Sequence, residues 1–326
     1  MSSNASPTNS AHFRWQELND TSLHLNDGVK IKFKQVPADD DADQPVSDDG
    51  DSSIHCVVPR NKPAWISQHV FDTCKDRCEM ISSSRYKNSD VVVFHAPTLY
   101  LGTPLKKYRG QTWVFHDMEP PSLVPNFKRW KRLFNWTLSY RRDADIFNPY
   151  STFTRRTDAE KNDIHKIDWN NKTRNIGWIV SHCGVASQRL KYGEKLKQTI
   201  DVDAFGRCGK LHCPRGQWQE CLGKYKFYAS FENSLCTDYI TEKSFRVFER
   251  NVDSIPVTRG APDYSMFLPP GSFVNTRNFS STSNLDDKPT VMKYFKWRRY
   301  YKANDQIDNG PVSIVLASSL IWRAIV

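Results

Sequence analysis

Between Lys226 and Phe231, apolar Phe227, Ala229 and Phe231 alternate with Tyr228 and Ser230, the period of a strand running into a buried sheet. Asn233 and Ser234 break that pattern. From about Asp238 the spacing turns helical, with Phe245, Phe248 and Val252 three or four residues apart, and a second short strand follows over Ser254–Gly260. The unit reads as β-α-β. Ligands of such units sit beyond the carboxyl end of the strand, where the helix N-terminus offers unpaired N–H groups to an anion.

The same reading extends to the rest of the chain. Val91–Phe94 and Thr112–Phe115 are continuous apolar runs followed by polar, proline-rich residues, as in buried parallel strands. Trp130–Arg142 has helical spacing, and Asp145–Tyr150 is extended. A second set comprises a strand at Ile176–Val180, a helix from about Ser187 to Thr199 and a strand at Ile200–Phe205. Strands alternating with helices in both halves predict two Rossmann-like domains facing a cleft. The expected organisation is a flexible polar stem over residues 1–53, one Rossmann-like domain over 54–160, a second over 161–305 and an atypical tail over 306–326.

The chain has 326 residues and a net charge of +10, enough length for two domains of about 150 residues each. Its basic residues do not form one arginine- or lysine-rich block in the sequence, and no zinc knuckle is present, which argues against nucleic acid. An acidic small-molecule substrate accounts for the charge. Residues 38–53 carry seven aspartates and no Lys or Arg, and read as a linker. Eight cysteines lie at 56, 74, 78, 183, 208, 213, 221 and 236 in spacings unlike those of zinc ribbons. With N-x-S/T sequences beginning at Asn4, Asn19, Asn135, Asn171 and Asn278, they favour an oxidising lumen and disulfides. Met1–Gly50 is polar, without an apolar run of about 20 residues.

The densest chemistry lies in Phe231-Glu-Asn-Ser-Leu-Cys-Thr-Asp-Tyr-Ile-Thr-Glu-Lys243. This run resembles the nucleotide-sugar signature of the α1,3/4-fucosyltransferases, glycosyltransferase family 10, and the similarity continues through Ile255-Pro-Val257, Gly260-Ala-Pro-Asp-Tyr264 and Pro269-Pro-Gly-Ser-Phe273. The resemblance covers roughly residues 54 to 300. It implies an α/β fold of GT-B architecture and inverting transfer of L-fucose from GDP-fucose to the 3-hydroxyl of N-acetylglucosamine, in a glycan on a glycoprotein or glycolipid. It also implies the lumenal face of the Golgi membrane, although this chain displays no transmembrane segment. The alternative carried beside it is a catalytically weak glycan- or nucleotide-binding protein on the same scaffold.

By the same resemblance Glu119, in Trp113-Val-Phe-His-Asp-Met-Glu-Pro-Pro121, is the catalytic base, with His116 and Asp117 as rivals. Arg189, in Ser181-His-Cys-Gly-Val-Ala-Ser-Gln-Arg189, and Lys243 are expected on the diphosphate. Asn233 and Tyr239 are expected on fucose or ribose, Glu242 on the ribose or guanine side, and Tyr150 as a further donor-site residue. Asp201-Val-Asp203 looks like the Asp-x-Asp metal signature of other glycosyltransferases, but it lies in a stretch similar to the family's Val-Asp-x-Phe-Gly-x-Cys-Gly, to which the family assigns no metal. No metal or cofactor is therefore expected to be required, with stimulation by Mn²⁺ left open.

Overall fold

The computed structural model describes residues 54–57, 78–81, 83–99, 103–124, 127–162, 168–250, 252–278 and 301–303. The expected stem over 1–53, the tail over 306–326, Cys74 and the sequons at Asn4 and Asn19 lie outside them.

The apolar runs become two wholly parallel sheets. The first has six strands: β1 (Ile54–Val57), β2 (Cys78–Met80), β3 (Val91–His95), β4 (Thr112–Asp117), β5 (Trp136–Ser139) and β6 (Ile146–Phe147), in the order β2-β1-β3-β4-β5-β6. Val91 to Phe94 are all buried, so a continuous apolar run is the signature that a doubly covered strand must carry. Two short strands, β7 (Phe153–Arg155) and β13 (Tyr301–Ala303), pair antiparallel with each other. The second parallel sheet contains β8 (Arg174–Ile179), β9 (Val202–Phe205), β10 (Tyr225–Phe231), β11 (Ile255–Arg259) and β12 (Val274–Asn275), ordered β12-β11-β10-β8-β9.

Five helices accompany the strands among the described residues: α1 (Ala96–Leu99), α2 (Asp158–Asn162), α3 (Arg189–Leu196), α4 (Trp218–Leu222) and α5 (Glu242–Glu249). The core of the second sheet joins Ile176, Trp178, Phe227, Phe231, Ile255 and Val257. Gly193 of α3 lies against Trp178, and a Cβ there would meet its ring at 2.6 Å, so the helix packs this closely only with glycine. Disulfides Cys183–Cys208 and Cys213–Cys221 tie loops around this sheet, and Cys236 is a free thiol.

Three expectations are corrected. Trp130–Arg142 is not a helix: a short turn at Lys128–Trp130 leads into strand β5. Arg132 adopts a left-handed φ of 68°, which stops helix propagation. The Asn135 side-chain oxygen then accepts from the Trp113 backbone N–H at 2.8 Å, and the Asn135 backbone N–H donates to the Trp113 carbonyl, so the chain is stitched to β4 and continues as a strand. The helix expected from about Asp238 begins at Glu242, because Asp238 has a φ of 58° and Thr241 is the N-cap. Strand β9 likewise starts at Val202, so Asp201 precedes it rather than sharing a strand face with Asp203.

Candidate functional site

Two loops leave the carboxyl ends of parallel strands and meet. One follows β4 and carries Glu119; the other follows β10 and carries Asn233. They join at the Ser122 and Ser234 hydroxyls, 2.7 Å apart. A second tie links the halves nearby. The Arg142 backbone N–H and guanidinium both donate to the Asp238 carboxylate at 3.0 Å, which holds Asp238 in its left-handed conformation. Arg142 thus braces the two halves, whereas Arg141 pairs locally with Asp143.

The Glu119 loop is short and shaped by its own hydrogen bonds. The Glu119 amide donates to the Asp117 carboxylate at 2.9 Å, and the Tyr150 hydroxyl donates to the Met118 carbonyl. Burial raises the Glu119 carboxyl above the usual range; Lys243 and His182 pull it down and Glu242 pushes it up. Asp117, raised by burial to about 6, has its carboxylate turned back to its own loop. His116 is fully buried, with Nδ1 3.0 Å from Nδ1 of His95, and burial holds it down at about 3. These contacts turn both rivals for the base inward and leave Glu119 as the one of the three whose carboxyl responds to Lys243.

That cationic side is organised by a residue the sequence reading left out. Glu232, directly after β10, is 0% exposed. Its carboxylate accepts from the Thr241 amide at 2.8 Å and the Thr241 hydroxyl at 2.7 Å, and lies 3.3 Å from the Lys243 ammonium. Burial raises the Glu232 carboxyl, opposed chiefly by Lys243. A buried charge persists only when paired and hydrogen-bonded, and these three contacts supply that. The amide of the N-cap Thr241 is therefore taken by a side chain of the protein itself, and Lys243 is the cation set beside it.

Lys243 donates to Thr241 Oγ1 at 2.7 Å and to Glu242 at 3.1 Å. Burial lowers its pKa, but Glu232 and Glu242 outweigh burial and the net shift is upward, keeping the ammonium charged. Burial also disfavours ionisation of Glu242, yet Lys243 and Arg246 hold it below the usual range. Gly260 completes the packing: a Cβ there would meet Glu232 Cγ at 2.5 Å.

Arg189 opens α3 and is buried, donating to the Phe231 carbonyl at 2.8 Å and the His182 carbonyl at 2.9 Å. Of five guanidinium donors, these contacts use two, and Nε has no partner. Asn233 holds the Ser187 amide through its backbone carbonyl, while its buried Oδ1 also lacks a partner. Tyr239 and Tyr150 stand edge to face at 6.1 Å, with Tyr140 at 5.1 Å from Tyr239; burial, then neighbouring phenol and carboxylate groups, keeps both phenols protonated.

The structure thus gathers Glu119, Tyr150, Tyr239, Glu242 and Lys243 into one electrostatically coupled group, with Arg189 and Asn233 at the end of β10 beside it. Asp203 lies elsewhere, accepting from Tyr225 at 2.7 Å and paired with Arg174. Among the described residues no group of three or more His, Cys, Asp or Glu side chains is placed to hold a metal, and no helix is long and apolar enough to cross a membrane.

Two parallel α/β sheets whose strand-end loops meet at a charged site define an α/β protein of GT-B architecture. Residues 56–151 match the fucosyltransferase N-terminal family, and residues 169–314 match the glycosyltransferase family 10 (fucosyltransferase) C-terminal domain. The chain is 34% identical over 260 residues to 4-galactosyl-N-acetylglucosaminide 3-alpha-L-fucosyltransferase FUT6 of Homo sapiens, covering 74% of this chain and 70% of that protein. It is 36% identical over 245 residues to Alpha-(1,3)-fucosyltransferase C of Drosophila melanogaster, covering 65% of this chain and 57% of the relative. A crystal structure of an alpha1,3-fucosyltransferase with GDP superposes with a TM-score of 0.52 at 16% identity, over 79% of this chain and 85% of that one. The chain belongs to glycosyltransferase family 10, the fucosyltransferases. Its match to the Drosophila relative, and to 3-galactosyl-N-acetylglucosaminide 4-alpha-L-fucosyltransferase FUT3 of Homo sapiens, spans less than two thirds of either relative's length, 57% and 62%.

Proposed function

We propose that this protein is an inverting α1,3-fucosyltransferase that moves L-fucose from GDP-fucose to the 3-hydroxyl of N-acetylglucosamine in glycans of glycoproteins or glycolipids. The observation that carries this reading is the pairing of a raised carboxylate with a part-buried cation: Glu119 feels Lys243 of α5, and the loop that carries Glu119 hydrogen-bonds to the loop leading from β10 into α5. Glu119 takes the proton of the acceptor hydroxyl as its oxygen bonds to C1 of fucose. The bond from C1 to the phosphate oxygen breaks, and its electron pair leaves with GDP. A carboxylate raised by burial is a stronger base than one in water. Lys243 meets the charge that grows on the diphosphate.

Arg189 shares that work through the donors it has not committed to carbonyls, and its Nε and Asn233 Oδ1 are buried polar atoms without a hydrogen-bond partner. Asn233, Tyr239 and Tyr150 face the fucose or ribose, and Glu242 the ribose or guanine side. Residues 54–160 form the acceptor side and 161–305 the donor side. The reaction requires no metal, because two cationic side chains offset the diphosphate charge, and Mn²⁺ acts at most as a stimulant. Disulfides Cys183–Cys208 and Cys213–Cys221, among the described residues, support residence in an oxidising compartment, here the lumenal face of the Golgi membrane. The names of the relatives, all fucosyltransferases, favour this over a binding protein without activity.

Titration of the protein with GDP in the presence of a chelator tests the donor half of this reading. Lys243→Ala and Arg189→Ala are each expected to weaken GDP binding by about 10- to 100-fold, the worth of a charge-assisted hydrogen bond. Binding abolished by the chelator and untouched by either substitution overturns the assignment.

A further inference from the structure

In the first sheet, three crossover segments, residues 83–88, 103–110 and 127–134, cover one face; the first is a 3-10 helix and the third holds a 3-10 turn at Lys128–Trp130. Their Tyr86, Leu105, Phe127, Leu133 and Phe134 pack around Phe94, Trp113 and Trp130. With the apolar side chains turned in, Lys87, Lys106, Arg109, Arg129, Lys131 and Arg132 are left exposed. The segments form one surface. Lys87 and Lys106 approach the Tyr108 ring at 5.8 and 5.5 Å, and Lys107 reaches the Leu133 carbonyl at 3.3 Å. Residues 96–111 and 120–142 contain no acidic residue. Glu79, 3.7 Å from Arg85, and Asp90 border the face.

This face lies away from the site. The turn at Arg109 and Gly110 precedes β4, and the turn at Lys131 and Arg132 precedes β5, whereas Glu119 follows the far end of β4. A six-residue strand separates its ends by about 20 Å, so these cations serve something other than the diphosphate. The chain itself enters the sheet at that end. Strand β1 begins at Ile54, runs parallel to β3 and β4, and stands two strands from β4, about 10 Å away. Immediately before it come the seven aspartates at 39, 40, 41, 43, 48, 49 and 51. A chain extends at most about 3.3–3.6 Å per residue, so Asp51 reaches roughly 10 Å from Ile54 and Asp39 roughly 50 Å, which spans the whole basic face.

We propose that this basic face is a docking surface for the chain's own acidic segment, residues 39–51. Covalent attachment makes the encounter intramolecular, so weak ion pairs add up without a partner in solution. The exposed large apolar side chains among the described residues, Leu123, Phe147, Leu211 and Leu235, all lie off this face, so the contact is electrostatic and salt-labile.

Carbodiimide coupling of the full-length chain at low ionic strength, read by peptide mass spectrometry, tests the proposal, because the reagent joins carboxylates only to amines in contact. Links are expected from residues 39–51 to Lys87, Lys106 and Lys131, but not to Lys191 and Lys195, exposed on α3. They should vanish in about 1 M salt, where the Debye length is about 3 Å. The links to Lys106 should also be lost in an Arg129→Glu, Lys131→Glu, Arg132→Glu variant, whose changes are all on exposed side chains. Links spread equally over α3, links to Lys106 unchanged in the triple variant, or links that prove intermolecular when isotope-labelled and unlabelled chains are mixed each overturn it.

Discussion

The hydroxyls of Ser122 and Ser234 meet at 2.7 Å, although the two residues lie 112 positions apart in sequence. One ends the turn after Glu119 and the other closes the Phe-Glu-Asn-Ser run, so this bond sets the spacing between the proposed base and the donor loop. Ser122→Ala is expected to leave the fold intact and to lower kcat/KM by up to about tenfold, the worth of one neutral hydrogen bond. A double-mutant cycle with Ser234→Ala checks this, since the two losses should not add.

Glu119→Gln keeps the shape of the side chain and removes its basicity. Turnover should fall roughly 10²-fold or more while GDP-fucose affinity is retained. Wild-type activity should also decline on acidification at a pH above the ordinary carboxylate range, because burial raises Glu119 and the base must be ionised. Rate and affinity measured across pH separate the two effects, and near-normal turnover in the variant removes Glu119 from the base role.

Glu232 acts through Lys243 rather than on a ligand. Glu232→Gln retains an acceptor for the Thr241 amide but deletes the charge that raises the Lys243 pKa. GDP affinity should therefore fade at lower pH than in the wild type when both are titrated from about pH 7 to 10. A purely structural role for Glu232 weakens binding equally at every pH.

Acid stability follows from the His95–His116 pair. His116 titrates at about 3 in the folded chain and near 6.5 unfolded, so the unfolded state binds more protons in between and stability falls with falling pH. Burial lowers His95 in the same direction. Asp117, raised to about 6, works the other way: the folded state holds its proton longer, which adds stability as pH drops below that value. The melting temperature should fall from pH 7 to pH 5, and fall more steeply in Asp117→Asn, which lacks the opposing group.

The strands around Val91, Thr112, Ile176, Phe227 and Ile255 were legible because each buries a cluster of apolar residues in the middle of its sheet, as a continuous run at Val91–Phe94 and as an alternating set at Phe227, Ala229 and Phe231. Trp130–Arg142 misled because Trp130, Phe134 and Leu138 recur every four residues for different reasons: the first two cap one sheet face, and Leu138 sits within β5. The positions of Glu119 beyond a strand and of Lys243 in the first turn of a helix were legible from their motifs. Glu232 was not, although it stands in the same motif, because a carboxylate at a strand end reads as solvated until Gly260 and Thr241 are seen to enclose it. The basic face was invisible for a related reason, since three separate segments contribute to it and only packing on Trp113 and Phe94 brings them together.

The central claim is that the site transfers fucose. The direct measurement is to express the protein in a secretory host and incubate it with labelled GDP-fucose and a panel of N-acetyllactosamine, Lewis-precursor and core N-glycan acceptors. Label should move to the 3-hydroxyl of N-acetylglucosamine in at least one acceptor, with GDP released in step and the transfer persisting in a chelator. No labelled glycan and no GDP release with any acceptor contradicts the account.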